Sequence, residues 1–399
     1  MIFVFVCDIM IKNHFGKDFL MKFIHLSDLH IGKRFGERPL TEDQEYILAE
    51  ILKIIDEEQP DGILIAGDIY DKAIPSAEAV QILDNFLFEL AERKKPVFII
   101  SGNHDSPERL AFGNRLIECC NIHIAPAYDG ELICYAMEDE YGEVDVYMLP
   151  FVKPSHVRRY YGDDAEIFSY TDAVRTALWS VCASERRKIL VTHQFVTGAA
   201  QAGSEEISVG GSDNVDASVF DAFDYVALGH IHGPQNCGSE RIRYCGTPLK
   251  YSFAEAKHEK SVTVVTLGEK GSLDVRTVPL VPKRDVRDIK GSYDEVTAKE
   301  FYENTTLGED YVRVILTDDT DIPDAMNKLR RIYHNIVSLA YDNARTRENA
   351  VLHTDAEADR KSPFALFSEF YEKQNGKAMS EEQSAFVLNL LEDLEDKER

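Results

Sequence analysis

The chain has 399 residues, which is long enough for two or three domains with a complete hydrophobic core. An apolar content of 44% and a charged content of 29% are typical of a soluble globular protein. The net charge of −26 argues against a general nucleic-acid binder, because such proteins usually carry a basic surface. It does not exclude a nuclease, since a local basic patch can bind the phosphate backbone while the rest stays acidic.

The cysteines and the N-terminal residues bear on where the protein works. The seven cysteines are odd in number and include no C-x-x-C pair, so we expect reduced thiols, a cytoplasmic location and no zinc knuckle. Residues 1–20 lack the basic segment and the uninterrupted apolar core of a signal peptide. We interpret them as an upstream extension, with the functional protein beginning at Met21. The sequence shows no stretch suited to spanning a bilayer, and we expect no membrane contact.

From Met21 onward, short apolar runs that predict strands alternate with amphipathic segments that predict helices, a pattern typical of an α/β protein. Residues 41–58 and 76–94 are the predicted helices, and Thr41 with Gln44 predicts a capping box at the start of the first. The predicted strands are 22–26, 62–66, 97–100, 144–149, 188–192, 225–228, 241–245 and 261–267.

The pattern changes near residue 285, where a second unit is expected to begin. A strand at 311–316 and a helix from 323 to 332 predict a small α+β unit. The C-terminal segment has apolar residues at helical spacing, among them Phe364, Phe367 and Tyr371, and later Leu390 and Leu391. The predicted divisions are an extension at 1–20, a main domain at 21–280, a small domain at 285–343, a polar linker at 344–361 and a helical segment at 362–399.

Five short segments carry side chains that bind metals, and four of these segments follow an apolar run. Carboxylates mixed with imidazoles suit a pair of divalent metals such as Mn²⁺, and two metals about 3.5–4 Å apart form a clamp for breaking phosphate esters. Ligands bind at the C-terminal ends of strands in open α/β sheets, so we expect one shared site. The candidate residues are Asp28, His30, Asp68, Asn103, His104, His193, His230 and His232.

Each segment taken alone has an ordinary structural interpretation. Asp68 could cap a helix or a turn, and His193 could be a core histidine with satisfied hydrogen bonds. His230 and His232 could be a chance pair in a glycine-rich loop. The presence of all five segments, each in a strand-to-loop context, favours a shared metal site.

The order of the motifs DLH, GD, GNHD, H and GHIH resembles the calcineurin-like metallophosphoesterase superfamily. Within it, the chain is similar to the SbcD family of nuclease subunits through FIHLSDLHIGKRF, GDIYDKAIPS, ISGNHDSPERL, GHIHGPQ and YCGTPLKYSF. SPFALFSEFYEKQNG resembles the segment with which that family binds its ATPase partner. The resemblance implies a metallophosphoesterase β-sandwich flanked by helices, followed by a small α+β capping domain and C-terminal helices.

The resemblance also assigns roles to the candidate residues. His104 would face the substrate as a proton donor or charge stabiliser, and we hypothesise that Asp71 orients it. Lys33, Arg34 and Arg38 would contact DNA at the mouth of the site, although a run of charges is often only a solvated face. The implied ligands are Asp28, His30 and His232 for one metal, Asn103, His193 and His230 for the other, and Asp68 for both.

The activity implied by the resemblance is a Mn²⁺-dependent phosphodiesterase, with Mg²⁺ as the alternative metal. It would degrade double-stranded DNA ends in an ATP-dependent manner and cut single strands and hairpins during DNA repair, recombination and replication. The chain has no Walker A loop, so an SbcC-type coiled-coil ATPase would handle the ATP, bound through the C-terminal segment. We expect a homodimer of this chain within a heterotetramer, associated with the nucleoid in the cytoplasm.

Two other functions stay open at this point. A phosphoesterase acting on a small phosphodiester or a phosphoprotein would use the same ligands, but the small domain and the C-terminal helices count against it. An inactive scaffold is the other alternative, and the presence of all seven candidate ligands and His104 counts against that.

Overall fold

The computed structural model describes residues 20–162, 165–181, 186–200 and 213–343, and scattered residues between 367 and 387. Most of the predicted extension and the whole predicted linker lie outside the described residues. The described helices are α1 (Thr41–Glu58), α2 (Ala77–Glu92), α3 (Pro107–Leu110), α4 (Asn114–Ile117), α5 (Pro154–Tyr161), α6 (Tyr170–Ala177), α7 (Tyr293–Thr297), α8 (Lys299–Tyr302) and α9 (Ala325–Leu329).

The strands alternate with these helices along the main domain. In chain order they are β1 (Met21–Leu26), β2 (Arg34–Phe35), β3 (Arg38–Pro39), β4 (Gly62–Ala66), β5 (Val97–Ile100), β6 (Ile122–Ala125), β7 (Ile133–Asp139), β8 (Gly142–Leu149), β9 (Arg187–His193), β10 (Phe195–Val196), β11 (Asn214–Val215), β12 (Tyr225–Gly229), β13 (Gln235–Cys237), β14 (Ser239–Tyr244), β15 (Ser261–Leu267), β16 (Leu273–Pro279), β17 (Val286–Gly291), β18 (Tyr311–Leu316) and β19 (Ile336–Tyr341).

Two six-stranded sheets pack face to face at the centre of the molecule. The first has the order β16-β15-β1-β4-β5-β6 and the second the order β13-β14-β12-β9-β8-β7. Phe23 of the first sheet and Tyr225 of the second are fully buried in the layer between them. Helices α1 and α2 cover the outer face of the first sheet, and α5 and α6 cover the outer face of the second. The predicted α/β sandwich flanked by helices is therefore confirmed.

Parallel pairing brings the predicted motifs to one edge of the sandwich. Strands β1, β4 and β5 run parallel in the first sheet, and β9 runs parallel to β12 in the second. The buried apolar runs favour such strands, because strands covered on both faces need apolar side chains throughout. The loops that follow these strands all leave at the same edge, and each of them carries a candidate ligand.

The predicted capping box at the start of α1 is wrong. Thr41 is the first helical residue, and the preceding Leu40 makes no side-chain cap. Gln44 is buried, and its side-chain amide accepts from Gly32 N at 2.9 Å and donates to the His30 carbonyl at 2.7 Å. Its amide is thus used to hold the loop after β1, and it does not reach back to the helix start.

A third sheet of three parallel strands, β17-β18-β19, has its own core with α7 and α9. Helix α9 begins two residues later than predicted, because Asp324 before it has a left-handed backbone with φ +55°, and it ends at Leu329, before the predicted residue 332. This sheet contacts the start of α1, where Asp43 accepts from Arg284 and from the hydroxyl of Tyr311, each at 2.8 Å. Among the described residues, no helix has the length and apolar character needed to cross a membrane.

Candidate metal centre

The candidate ligands predicted from five separate segments converge at the edge where the two sheets meet. Three groups of side chains have ligand atoms within 4.8 Å of one another, namely Asp28 with His30 and His232, His30 with Asp68 and His104, and Asp28 with Asp68 and His193. The remaining candidates, Asn103 and His230, join the cluster by direct hydrogen bonds.

The first predicted ligand set is buried, and some of the polar atoms of Asp28 and His30 have no hydrogen-bond partner among the described residues. Asp28 Oδ2 and both ring nitrogens of His30 are buried without a hydrogen bond among the described residues. Buried polar atoms are usually paired, because an unpaired one costs about 1–3 kcal/mol. The carboxylate of Asp28 and the imidazoles of His30 and His232 form a group that suits a divalent cation.

The second predicted set converges on one amide oxygen. Asn103 Oδ1 lies 2.9 Å from His193 Nε2 and 2.9 Å from His230 Nδ1. His193 ends β9, and His230 follows β12, its direct neighbour in the sheet. Two imidazoles and an amide oxygen this close together also suit a divalent cation.

Asp68 lies between the two sets. Its Oδ2 is 3.3 Å from His193 Nε2, 3.6 Å from His30 Nε2 and 3.9 Å from His104 Nε2. Its other oxygen, Oδ1, accepts a hydrogen bond from the main-chain N–H of His104 at 2.9 Å. A single carboxylate can therefore reach ligands of both sets, as a bridging residue must.

Four of the candidate ligands have a left-handed backbone, which is uncommon for residues with a side chain. The φ angles are +51° at Asp28, +44° at His30, +50° at Asp68 and +96° at His230. Such conformations cost about 1–3 kcal/mol each and cluster at functional sites. Hydrogen bonds across the loops hold them, including one from His30 N to the Asp68 carbonyl at 2.9 Å and one from His230 N to Asp28 Oδ1 at 2.9 Å.

Comparison with known proteins shows the family of this chain. Residues 21–234 match the calcineurin-like phosphoesterase family, and residues 282–375 match a domain described as the type 5 capsule protein repressor C-terminal domain. The SbcD nuclease subunit of the SbcCD complex from Staphylococcus epidermidis is 32% identical over 385 residues, which covers 95% of this chain and all of that protein. The chain belongs to the SbcD family of calcineurin-like phosphoesterases.

Two solved structures are also similar to this SbcD-family chain over 65% of its length. A dimetal phosphatase from Danio rerio is 13% identical with a TM-score of 0.41, and 96% of that chain is covered. A protein from Thermus thermophilus is 13% identical with a TM-score of 0.39, and 99% of that chain is covered.

Burial and nearby charges set the protonation of the ligands in this SbcD-family site. Burial lowers the pKa of His30 well below its usual value and lowers the pKa of His230 to about 3, so both are neutral imidazoles. Burial would also lower the pKa of His193, but Asp68 and Asp28 more than offset this and raise it to about 9. Neutral imidazoles bind metals directly, and a bound cation would take the place of the proton on His193.

His104 is oriented by the main chain of Asp71. The ring Nδ1 of His104 donates to the Asp71 carbonyl at 3.0 Å. The Asp71 carboxylate lies 2.7 Å from Lys33 Nζ. From the sequence we predict that the Asp71 side chain orients His104; the His104 ring donates instead to the Asp71 main-chain carbonyl, while the carboxylate lies beside Lys33.

The three residues predicted to contact DNA differ in the contacts that their charged groups make within the protein. Arg38 donates to Asn335 Oδ1 at 2.8 Å and to the His334 carbonyl at 2.9 Å, which ties it to the third sheet. Lys33 pairs with Asp71 beside the metal centre. Arg34 is exposed, and its guanidinium donates to a carbonyl of its own loop, that of Glu37. Of the three, Arg34 is the most available to a phosphate.

Sequence reasoning missed residues that support the loops from behind. Asp105 is buried, and its carboxylate accepts from the main-chain N–H groups of Gly102 at 2.9 Å, Ile69 at 3.1 Å and Tyr70 at 2.9 Å. It therefore ties the loop after β4 to the loop after β5. Burial and the charge of Asp68 raise the pKa of Asp105 to about 6. The sequence signal that could have identified Asp105 is its position directly after His104 in the GNHD motif.

The predicted partner-binding residues are described only in part. Phe364, Leu390 and Leu391 lie outside the described residues. Phe367 is 43% exposed, and it lines a shallow groove together with Tyr371.

Proposed function

We propose that this chain is the nuclease subunit of an SbcCD-like complex and hydrolyses the phosphodiester bonds of DNA with two divalent cations. The observation that carries the proposal is the position of Asp68 Oδ2, which lies within 3.3 Å of His193 Nε2 and 3.6 Å of His30 Nε2. These imidazoles belong to the two predicted ligand sets. The name of the relative from Staphylococcus epidermidis, a nuclease subunit, supports a nucleic acid as the substrate, and the resemblance of the motifs implies DNA.

The residues divide the work of the reaction between them. When bound, a pair of divalent metals supplies a nucleophilic hydroxide and neutralises charge on the phosphate. Asp68 would hold both cations, with Mn²⁺ favoured over Mg²⁺ because the donor set mixes imidazoles with carboxylates. His104 would donate a proton or a hydrogen bond to the substrate, and the Asp71 carbonyl keeps its ring in place. The implied cation ligands are Asp28, His30 and His232 for one position and Asn103, His193 and His230 for the other.

The finer activity and the partners are part of the same proposal. The complex would degrade duplex ends with ATP and cut single strands and hairpins in DNA repair, recombination and replication, in the cytoplasm at the nucleoid. An SbcC-type ATPase would bind the segment 362–399, where Phe367, Phe370 and Phe386 are 43%, 59% and 67% exposed. The small sheet at 285–343 would act as a capping domain beside the phosphoesterase domain at 21–280.

The proposed activity is tested with end-labelled duplex DNA and the purified chain, with and without its ATPase partner. We expect Mn²⁺-dependent degradation that the partner and ATP accelerate and that His104→Ala reduces by about 10²–10⁴-fold, the usual contribution of a proton-transfer residue. Hydrolysis of a small phosphodiester without any cleavage of DNA would instead favour the small-substrate alternative. Failure to bind metal would favour an inactive scaffold.

An apolar groove beside α2, one of the helices on the outer face of the first sheet, supports the predicted homodimer. The groove lies between α2 and the α3–α4 segment and is lined by Val80, Leu83, Leu87, Phe112 and Leu116. Phe112 is 87% exposed and Leu116 is 78% exposed. Large exposed apolar patches mark interaction sites, so we assign the contact between two copies of this chain to this groove.

Phe112→Glu is expected to shift the chain from dimer to monomer. A carboxylate forced into an apolar interface costs several kcal/mol, so dimer dissociation should rise by at least about 10-fold. Sedimentation velocity across a concentration series measures the change. Trp179→Glu is the control, because Trp179 is 77% exposed and does not line this groove. Equal sedimentation of wild type and Phe112→Glu at every concentration would contradict this interface.

A further inference from the structure

A buried pair of charged residues holds His232 from two sides. Glu255 is fully buried, and its Oε1 accepts a hydrogen bond from His232 Nδ1 at 3.1 Å. Its Oε2 accepts from Lys260 Nζ at 2.6 Å. Lys260 also donates to the main-chain carbonyl of His232 at 2.8 Å. One ion pair therefore fixes both the ring and the main chain of this candidate ligand.

The surroundings keep this pair charged inside the protein. Lys260 is 5% exposed, and its ammonium also donates to Thr247 Oγ1 at 2.6 Å. Burial would raise the pKa of the Glu255 carboxyl, but the hydrogen bonds from His232 and Lys260 and the charge of Lys260 hold this pKa below its usual range. Buried charges of this kind are retained only when they are paired and hydrogen-bonded, as both are here.

We propose that Glu255 and Lys260 are positioning residues that fix the tautomer and the orientation of His232 for binding a cation. The carboxylate accepts the Nδ1 proton, and a neutral ring protonated at Nδ1 carries its lone pair on Nε2, the form in which His232 can bind a cation together with Asp28 and His30. A carboxylate on the far ring nitrogen also makes an imidazole a stronger metal ligand. The inference rests on the proposed function, because it takes His232 as a ligand.

The two cation positions differ in this support. His193 of the second set donates its Nδ1 proton to a neutral main-chain oxygen, that of Ala66, at 2.8 Å. His232 of the first set is supported by a full charge. Loss of the Glu255–Lys260 pair should therefore weaken the cation position that contains His232 and leave the other position intact.

The test replaces both charges at once, because removing one alone would leave the other buried without a partner. Glu255→Leu with Lys260→Met is expected to bind one Mn²⁺ with about 10–100-fold lower affinity and the second Mn²⁺ as wild type does. Glu255→Gln with Lys260→Met restores a neutral acceptor for His232 and should recover part of the loss. Isothermal titration calorimetry of the full chain with Mn²⁺ alone measures both affinities.

Two further variants separate the possible outcomes. Asp139→Asn removes the half-buried carboxylate that pairs with Arg187, the first residue of the strand that His193 ends. Arg187 keeps its hydrogen bonds to the Gly142 and Gly268 carbonyls, so both affinities should stay unchanged. Wild-type affinities in the folded double variant, or equal weakening of both positions, would overturn the positioning role. If His232→Ala binds both cations as wild type does, the proposed metal centre itself fails, which is a different result.

The tautomer can also be read from the wild-type chain, whether or not the variants fold. Nitrogen-15 spectra of the histidine side chains, recorded without metal, distinguish a proton on Nδ1 from one on Nε2. The signal that disappears in His232→Ala belongs to His232. A proton on Nδ1 is the expected result, and a neutral ring with its proton on Nε2 would overturn the proposal.

Discussion

Asp68→Asn is expected to abolish hydrolysis, with a loss of at least about 10³-fold, because it acts on both cation positions at once. The substitution keeps the shape of the side chain, and in one of the two amide orientations its oxygen still accepts from His104 N. It replaces the charged Oδ2 with a neutral oxygen or an amide N–H₂ group, depending on how the amide is oriented, and the N–H₂ group repels a cation. In either orientation the negative charge shared by His193 and His30 is lost.

The measurement pairs turnover of a small chromogenic phosphodiester under Mn²⁺ with calorimetric titration of Mn²⁺. Both Mn²⁺ affinities should fall together, which distinguishes a bridging carboxylate from an ordinary ligand. Asp145→Asn is the matched control, since Asp145 of strand β8 is also buried and pairs with Arg186. Loss of only one cation in Asp68→Asn would show that Asp68 belongs to a single position.

The convergence of the candidate ligands could be predicted from sequence because its signal is local. Four of the five ligand segments follow a short apolar run, and parallel strands place the residues after such runs at one edge. The strands before Asp28, Asp68, Asn103 and His230 all lie where the apolar runs predict them, within one or two residues. The left-handed backbone at these ligands gives no comparable signal, since it follows from the packing of the loops and not from residue type.

The supporting residues could not be predicted, because their contacts depend on the tertiary fold. Glu255 lies 23 residues after His232, in an Ala-Glu-Ala-Lys run that is typical of an exposed helix. Gln44 follows Thr41 at the spacing of a capping box, yet its amide binds the loop after β1. Glu255 and Gln44 each supply a hydrogen-bond partner to buried polar atoms, which are the ring of His232 and the main chain of the loop after β1. The need for these partners becomes visible only once the fold is known.

The third sheet shows a different limit of sequence patterns. Strand β18 is largely buried and was predicted with its bounds, while β17 and β19 were missed. β17 reads Val-Arg-Asp-Ile-Lys-Gly, with two buried residues among charged ones, so neither strict alternation nor an apolar run identifies it. A half-exposed strand of a small parallel sheet therefore lacks both of the usual signals.

Gly229→Ala is expected to be among the most damaging single changes in the chain, although alanine adds only a methyl group. A Cβ at residue 229 would lie 1.9 Å from the Ala66 carbonyl oxygen and 2.7 Å from His193 Nδ1. The first atom belongs to the main chain of β4 and the second to a buried candidate ligand. Moving either of them would therefore cost free energy. The two sheets must separate, or the hydrogen bond from His193 to Ala66 must break.

We expect Gly229→Ala to lower the free energy of unfolding by about 3 kcal/mol, at the upper end for overpacked cores, and to weaken Mn²⁺ binding at the position of His193 and His230. Urea unfolding and calorimetric titration measure the two effects. Gly308→Ala is the control, because its Cβ would meet only the Ile332 carbonyl at an ordinary 3.4 Å. Wild-type stability together with wild-type Mn²⁺ affinity in Gly229→Ala would contradict the argument. The glycine before His230 lets the main chains of the two sheets approach closely, and that approach brings His193 of one sheet to 3.3 Å from Asp68 of the other.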